Sequence, residues 1–335
     1  MKLKIYITGA AGFIGFHTTK KLLNKGIEVH GFDSMNNYYD VNLKKLRLRI
    51  LKKNKNFSFT KGLLENQKLL NRSVLKFKPT IIIHLAAQAG VRYSIDNPDV
   101  YLNSNIIGTF NIIKIANNIN VKHLIIGSSS SVYGANKKMP FKEIDKTDHQ
   151  VSFYAATKKS TESLAHSYSS LWKLPITMLR FFTVYGPYGR PDMAVIKFIS
   201  KIYNRKKIEL FNHGKNIRDF TYIDDVVDRV YSLINKIPLK SKKLKKLKPN
   251  KSSSRLRILN IGNSKTIKVI SIVKIIEKIL KTQAKKKFLP PLRGDVGKTY
   301  ADNKNLKIIT KKNFHTSYYD GIKKTISWYL DTIKR

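Results

Sequence analysis

Two residues one helical turn apart, Tyr154 and Lys158, form a Y-x-x-x-K pair that can perform acid–base chemistry. Four-residue spacing places the phenol and the ammonium group on one face of a helix, where the cation favours the phenolate. A tyrosine whose pKa is lowered in this way from about 10 can take a proton from a substrate hydroxyl. In a lysine-rich chain the same spacing also arises by chance on a solvated helix face, so its meaning depends on the residues around it.

A run of four serines, residues 128–131, precedes this pair and follows a predicted strand. Hydroxyl groups in such a position can share a proton path with a nearby tyrosine or donate hydrogen bonds to an anion. The alternative interpretation is a turn of small residues after a strand.

The chain begins with a predicted strand, residues 2–8, which leads into a G-x-x-G-x-x-G turn and an amphipathic helix. Glycines in this arrangement allow a tight turn and let the backbone approach a pyrophosphate at the positive end of the helix. We therefore predict a dinucleotide site at Gly9, Gly12, Phe13, Ile14 and Gly15.

A second predicted strand, residues 28–32, ends at Asp33, 18 residues after Gly15. A carboxylate there accepts both hydroxyls of an adenosine ribose and would repel a 2′-phosphate, so NAD is predicted in preference to NADP. An ordinary strand-to-helix turn is the alternative, but it does not explain strand, glycines, helix and acid in this order.

Strands and helices alternate through the first half of the chain, which indicates an α/β fold: a Rossmann-type doubly wound parallel sheet. Further strands are predicted at residues 57–61, 80–85, 122–127 and 176–182. Ligands bind such sheets at the carboxyl ends of strands. The residues at these strand ends, which so converge on one crevice, are Gly9, Asp33, residues 86–90, residues 128–131 and Thr183. We predict that Leu85, Ala86 and Ala87 contact the NAD.

Two lobes are expected in a chain of 335 residues, which can bury a large core. Residues 1–182 would form the NAD-binding domain, and residues 183–335 a smaller mixed α/β lobe that binds the rest of the substrate. Residues 236–257 carry ten basic residues and no acidic one. We interpret this segment as a self-repelling insertion that activity does not require.

Composition excludes several kinds of site. The chain has no cysteine, which rules out disulfides, thiol nucleophiles and thiolate metal ligands, and we expect no metal. It shows no signal-peptide pattern, and its apolar runs are too short to cross a bilayer. A cytoplasmic protein without a membrane partner is expected.

Net charge is the compositional anomaly, because 65 Lys and Arg against 21 Asp and Glu give +44. Such a balance is typical of proteins that bind nucleic acid. Here the lysines are spread along the chain, so we interpret them as solvated helix faces and expect no specific nucleic-acid partner.

Seven segments together resemble the extended short-chain dehydrogenase/reductase family of nucleotide-sugar enzymes. They are TGAAGFIGFH, HLAAQAGVRYS, SSSSVYG, YAATKK, LRFFTVYGPYGRPDMA, RDFTYIDD and GDVGKTYAD. The resemblance covers the chain except for the basic insertion, and within the family the chain looks most like UDP-glucuronate 4-epimerases.

This resemblance implies NAD-dependent epimerisation at C4 of a UDP-sugar, from UDP-glucuronate to UDP-galacturonate, through a transient 4-keto sugar. Tyr154 would be the base, Lys158 would lower its pKa while binding the nicotinamide ribose, and Ser129 would share the proton path. A UDP-glucose or UDP-N-acetylhexosamine(uronate) 4-epimerase is the alternative within enzymes. A non-catalytic, basic relative that binds nucleic acid is the alternative outside them.

The resemblance also implies how the sugar is held. Sugar dehydratases and decarboxylases carry carboxylates where this chain has Ser130 and Ser131, so the chain looks equipped for redox at C4 and not for elimination. These hydroxyls and Thr183 would donate hydrogen bonds to a glucuronate carboxylate. Arg190 is a further candidate, because a guanidinium grips a carboxylate or phosphate as a fork.

For the rest of the nucleotide sugar, the resemblance implies that Arg218 binds the diphosphate and that Asp295 binds the uridine ribose. Asn105 matches a family position near the active site, although a polar residue at the start of a helix is an equal alternative. Leu63 departs from the pattern, since relatives often place Asp there to accept the adenine amino group. Relatives are commonly dimers joined through two helices, so we expect a homodimer.

Overall fold

The protein is described by a computed structural model that covers residues 3–240, 248–250, 252–291, 296–312 and 316–332. Within these residues thirteen strands occur. In chain order they are β1 Lys4–Thr8, β2 Glu28–Asp33, β3 Phe57–Lys61, β4 Ile81–His84, β5 His123–Ser129, β6 Ile176–Phe181, β7 Thr183–Tyr185, β8 Ile208–Leu210, β9 Ile217–Arg218, β10 Phe220–Tyr222, β11 Leu256–Ile261, β12 Ile267–Lys268 and β13 Lys286–Phe288.

The same residues form twelve α-helices, with a π-helix at Leu102–Ile107 and 3-10 turns at Ser130–Tyr133 and Phe211–Gly214. The α-helices are α1 Phe13–Asn24, α2 Val41–Lys52, α3 Gln67–Phe77, α4 Tyr93–Asp96, α5 Pro98–Tyr101, α6 Gly108–Asn118, α7 Phe153–Leu171, α8 Ala194–Tyr203, α9 Ile223–Leu233, α10 Val269–Leu280, α11 Lys304–Thr310 and α12 Tyr318–Thr332.

Seven parallel strands form the central sheet in the order β11-β6-β5-β4-β1-β2-β3. The chain order reverses between β1 and β4, and a crevice opens at such a reversal beyond the carboxyl ends of the strands. The predicted doubly wound parallel sheet is therefore confirmed.

Both faces of this sheet are covered, because successive residues of its central strands are apolar and point to opposite faces. In β1, Ile5 and Ile7 belong to one apolar cluster, whereas Tyr6 between them belongs to another. In β4, Ile83 and Ile82 divide between the two clusters in the same way. Successive side chains in a strand point to opposite faces, so each cluster is the core of one helical layer.

The second part of the chain adds three small sheets, β7 with β10, β8 with β13, and β9 with β12. It also supplies β11, which pairs with β6 as the seventh strand of the central sheet. One strand of the central sheet, β11, therefore comes from residues 183–335, the range predicted to form the second lobe. The basic insertion overlaps the start of this strand, and its residues 241–247 and 251 lie outside the described residues.

Strand β5 runs further than the sequence indicates, to Ser129 instead of residue 127. Ser129 then caps the following 3-10 turn, because its hydroxyl accepts a hydrogen bond from the backbone N–H of Ser131 at 3.1 Å. The four serines therefore divide between a strand end and a turn, which gives their side chains different directions.

Candidate active site

A cavity of about 670 Å³ lies at the carboxyl ends of the central strands. Its volume is within the range of small-molecule sites. Among the residues that line it are Gly9, Gly12, Phe13, Ile14, Gly15, Asp33, Leu85, Ala86, Ala87, residues 128–131, Tyr154, Lys158, Thr183 and Arg190.

The glycine turn is shaped so that the backbone itself forms one wall of this cavity. Gly9 has a φ of +75°, and a side chain there would place its Cβ 2.7 Å from the Ala86 backbone nitrogen. A Cβ at Gly15 would collide with the carbonyl oxygen of Gly9. Gly12 begins α1 without a side-chain cap, so the first amides of the helix remain available to an anion.

Asp33 lies at the end of β2 and accepts hydrogen bonds from two backbone N–H groups, those of Ala11 at 3.0 Å and Met35 at 2.9 Å. Burial raises the pKa of its carboxyl group, while these hydrogen bonds and the charges of Lys44 and Arg47 lower it. Each carboxylate oxygen can accept a further hydrogen bond, so the arrangement fits a ribose diol.

Tyr154 and Lys158 lie in the first turns of α7, whose start is fixed by Ser152 accepting from the N–H of Ala155 at 3.2 Å. The backbone N–H of Tyr154 donates to Ser94 Oγ at 3.2 Å. Lys158 is 5% exposed, and its Nζ donates to the carbonyl oxygen of Gly127 at 2.8 Å. The pair is therefore held at the inner end of the cavity.

The electrostatics of this pair differ from the prediction that Lys158 lowers the pKa of Tyr154. Burial raises the pKa of the Tyr154 phenol, although a hydrogen bond with Ser129 and the charge of Arg190 lower it. Burial also lowers the pKa of Lys158 to about 8, while the charge of Glu162 raises it. The physical reason is desolvation, which disfavours the charged form of both groups.

The serines take up separate roles in the structure. Ser129 faces Tyr154 and donates to Ser131 Oγ at 3.2 Å. Ser128 instead donates to Glu162 Oε1 at 2.7 Å on the side of α7. Ser130 lies in the 3-10 turn at the cavity wall.

On the substrate side, Thr183 begins β7 and pairs with Phe220 of β10, which places its side chain at the cavity. The guanidinium of Arg190 already holds Asp192 through two hydrogen bonds, of 3.0 and 2.5 Å. The same guanidinium lies 5.3 Å from the centre of the Tyr38 ring.

Of the two residues predicted for the diphosphate and the ribose, the structure describes Arg218 alone. The side chain of Arg218 donates to the carbonyl oxygens of Ile217 and Gly297, both at 3.0 Å, and is not among the lining residues. Asp295 lies outside the described residues.

Asn105 is fully buried in the π-helix and holds the loop that follows β4. Its amide donates to the Gln88 carbonyl oxygen and to Thr157 Oγ1, both at 3.0 Å, and its oxygen accepts from the Gln88 N–H at 2.8 Å. Leu63 is 51% exposed and lines the cavity.

Sequence reasoning missed the charged residues that surround the predicted site. Arg47 is fully buried on α2 and donates to the Ala11 carbonyl oxygen at 2.8 Å, behind the glycine turn. Glu162 lies one turn beyond Lys158 and is paired with Arg180. A glutamate four residues after a candidate catalytic lysine was the available signal.

Two kinds of site are not found in the part of the chain that the structure describes. No helix there is long and apolar enough to cross a bilayer. No group of three or more His, Cys, Asp or Glu side chains is arranged there to hold a metal ion.

Comparison with known proteins agrees with this architecture. "Protein CapI" of Staphylococcus aureus is 46% identical over 99% of this chain and 100% of its own length. The "Probable UDP-glucuronate 4-epimerase" of Rhizobium meliloti (strain 1021) is 42% identical over 99% of this chain and 98% of its own. The solved UDP-glucuronic acid 4-epimerase from Bacillus cereus, in complex with UDP-glucuronic acid and NAD, superposes with a TM-score of 0.88. It is 31% identical and covers 98% of this chain and 99% of its own.

Residues 5–243 match the NAD dependent epimerase/dehydratase family, which is more than half of the chain. Together with relatives above 40% identity along the full length, this match shows that the protein belongs to the NAD dependent epimerase/dehydratase family of enzymes.

Proposed function

We propose that this protein is an NAD-dependent epimerase that inverts C4 of a UDP-sugar and that its substrate is UDP-glucuronate. The observation that carries the proposal is the convergence of Tyr154, Lys158 and Ser129 on one cavity with the hydroxyls of Ser131 and Thr183. The relatives named UDP-glucuronate 4-epimerase support the choice of sugar.

NAD fits the inner part of the cavity. Gly9, the uncapped start of α1 and Asp33 match a pyrophosphate and a ribose diol, and Leu85, Ala86 and Ala87 form the wall beside them. NAD held there would supply a reversible hydride acceptor for C4 of the sugar.

In this proposal Tyr154 Oη takes the proton of the C4 hydroxyl group. Ser129, whose hydrogen bond lowers the pKa of Tyr154, shares that proton with the substrate. Lys158, protonated below a pKa of about 8, would supply a positive charge that favours the phenolate form in which Tyr154 accepts the proton. The proton returns by the same route when the sugar has presented its other face.

The sugar carboxylate is held by neutral donors. Ser130, Ser131 and Thr183 line the cavity and carry only hydroxyl groups, so they can bind a carboxylate without offering an acid or base for elimination. A β-keto acid loses CO₂ when its breaking bond aligns with the carbonyl π system. A carboxylate fixed out of that alignment keeps its CO₂.

Arg190 is proposed as a second anion contact, Arg218 as a contact of the UDP diphosphate and Asp295 as a contact of the uridine ribose. Arg190 lies at the cavity and would exchange Asp192 for a substrate oxygen. For Arg218 and Asp295 the support is the resemblance of their sequence segments alone.

A cytoplasmic homodimer is the proposed state of the protein. Exposed apolar side chains occur on the π-helix (Leu102, Ile107) and on α7 (Phe153, Leu171), and these two helices contact each other. Phe110, Tyr168 and Trp172 form a continuous row of rings with centroids 6.3 and 4.4 Å apart. Burying such a row against a second copy would remove apolar area from water. Sedimentation equilibrium would report a dimer mass, and a monomer would contradict this proposal.

The test of function is direct. Purified protein with added NAD is incubated separately with UDP-glucuronate, UDP-glucose and UDP-N-acetylglucosamine, and C4 stereochemistry is read by proton NMR. UDP-galacturonate is the expected product. Turnover of a neutral sugar alone would assign the activity to a different epimerase, and no turnover of any sugar would overturn the proposal.

A further inference from the structure

A buried ion pair lies directly beneath the cavity, between Glu162 of α7 and Arg180 of β6. Their side chains are 2% and 1% exposed. Arg180 donates through Nε to Glu162 Oε1 at 2.9 Å and through Nη2 to Glu162 Oε2 at 2.8 Å. Burial opposes ionisation of Glu162, yet the charge of Arg180 overrides this and holds the pKa of Glu162 below its ordinary value. Glu162 is therefore an anion inside the protein.

Stability alone does not explain such a pair, because removing two charges from water costs about as much as their attraction returns. The position of Glu162 suggests another reason. It lies one helical turn beyond Lys158, on the same face of α7. It also accepts the hydrogen bond of Ser128, which adjoins Gly127, the residue whose carbonyl oxygen holds Lys158 Nζ.

The ionisable groups near Lys158 come from three elements. From β4, His84 is neutral at physiological pH, since burial and the charge of Lys158 lower its pKa to about 3. From α7, burial raises the pKa of Tyr154 and so disfavours its negative form. From β6, the charge of Arg180 is taken up by Glu162. Glu162 is thus the group on these elements that can compensate a positive Lys158.

Arg180 is itself held from its other side. Its guanidinium lies 4.8 Å from the centre of the Tyr133 ring, and the Tyr133 hydroxyl donates to Asn260 Oδ1 at 2.7 Å. Asn260 belongs to β11 of the central sheet. The carboxylate of Glu162 is accordingly fixed by a connected set of side chains and not by one flexible partner.

We infer that Glu162, fixed by Arg180, is a positioning residue whose negative charge keeps Lys158 protonated and whose oxygen anchors the strand end at Ser128. This role deepens the proposed function, because it concerns the lysine on which that function depends. Glu162 touches neither the cavity nor a substrate in this role, and it acts through Lys158.

The titration of Lys158 provides a test that needs no turnover. Protein labelled with ¹³C at lysine Cε is titrated by NMR, and the resonance is assigned by its loss in Lys158→Met. Ordinary lysines titrate near 10.4, so a signal with a midpoint near 8 stands apart. Removing a nearby opposite charge lowers a lysine pKa, and Glu162→Gln should move this midpoint down by about one pH unit. Gln keeps an oxygen that can accept from Ser128, so the change isolates the charge.

Two further variants make the result decisive. Glu162→Gln/Arg180→Met removes both charges and leaves no buried unpaired guanidinium. Because it also removes a positive charge, its downward shift should be smaller than that of Glu162→Gln. Asp225→Asn is the matched control, since Asp225 is a buried carboxylate on α9 that accepts from the Thr316 N–H at 2.8 Å and does not line the cavity. Its midpoint should stay near 8.

A Glu162→Gln variant that folds and still titrates near 8 would overturn the inference, as would a double variant whose midpoint rises or an equal shift in the Asp225 control. Activity adds a second readout: the rate should fall as pH rises through the Lys158 midpoint, and this fall should occur at lower pH without Glu162. If the epimerase assay fails with every sugar, the NMR titration still decides whether Glu162 controls Lys158.

Discussion

The two sides of the cavity differ in how firmly their functional side chains are held. On the catalytic side, Tyr154 and Lys158 lie on a capped helix and Ser129 ends a central strand. On the substrate side, Arg190 follows a strand of three residues and is bound to Asp192. The first set is placed by long elements and buried hydrogen bonds, whereas the second depends on short elements and exchangeable contacts.

This difference follows from what each side must do. A base and its lysine must meet one atom in one geometry, which rigid elements provide. A sugar that turns over between two half-reactions needs contacts that can be released and made again. The catalytic side should therefore respond to substitution with large changes in rate, and the substrate side with smaller changes in binding and product.

The largest effect is expected on the catalytic side. Tyr154→Phe removes the oxygen that takes the C4 proton and leaves the ring, so UDP-sugar should bind normally while the rate falls at least about a hundredfold. Isothermal titration and steady-state rates would measure the two quantities separately.

Tyr168→Phe is the matched control for this variant. Tyr168 lies on the same helix and its ring contacts Trp172, away from the cavity. Its rate should remain within about twofold of the parent. Near-normal turnover by Tyr154→Phe would remove Tyr154 from the mechanism.

A smaller effect is expected at Thr183. Thr183→Ala removes one hydrogen bond to a carboxylate, worth about 1.5 to 3 kcal/mol, which can change partitioning by more than tenfold. The freed carboxylate can then reach the alignment that releases CO₂ from the 4-keto sugar. A UDP-4-ketopentose and NADH should accumulate, visible by NMR and by absorbance.

Thr183→Ser keeps the hydroxyl and should keep the parent products. UDP-glucose has no carboxylate, so any binding of it should hardly change in Thr183→Ala. Equal loss of affinity for both sugars without CO₂ release would show that Thr183 only packs beside the cavity.

The sequence predicted the regular helices and strands, but it did not predict properties that depend on burial by distant residues. The alternation of predicted strands and helices and the glycine spacing were sufficient to predict the sheet and the positions of Gly9 and Asp33, because local sequence determines both. The raised pKa of Tyr154 could not be predicted, since it results from residues distant in sequence that exclude water. The Glu162–Arg180 pair likewise joins α7 to β6, a contact that no local pattern encodes.

A few-fold effect is expected where Arg190 exchanges partners. Asp192→Asn removes the charge that holds the guanidinium, on a side chain that is 37% exposed. Exposed ion pairs contribute about 0.2 to 1 kcal/mol, so the KM for UDP-glucuronate should fall by about two- to fivefold with kcat unchanged. Asp192→Glu keeps the charge and serves as the control. A higher KM in Asp192→Asn would mean that Asp192 assists binding and does not compete with it.

The smallest effect is expected at the most basic segment, in contrast with the buried Lys158 of the site. Replacing Lys242, Lys243, Lys245 and Lys246 with Gln should leave kcat, KM and the unfolding temperature unchanged. The described contacts at the ends of this segment remain, since Ser252 bonds His166 at 2.9 Å and Arg255 bonds the Pro238 carbonyl oxygen at 3.4 Å. Four charges are also a small part of a net +44, so the attraction of the whole protein for an anionic sugar nucleotide should hardly change.

Arg255→Gln, which removes one of those end contacts, is the comparison that should lower the unfolding temperature. If the four-Gln variant loses solubility or activity while Arg255→Gln does not, the segment is part of the folded structure and the contrast with Lys158 fails.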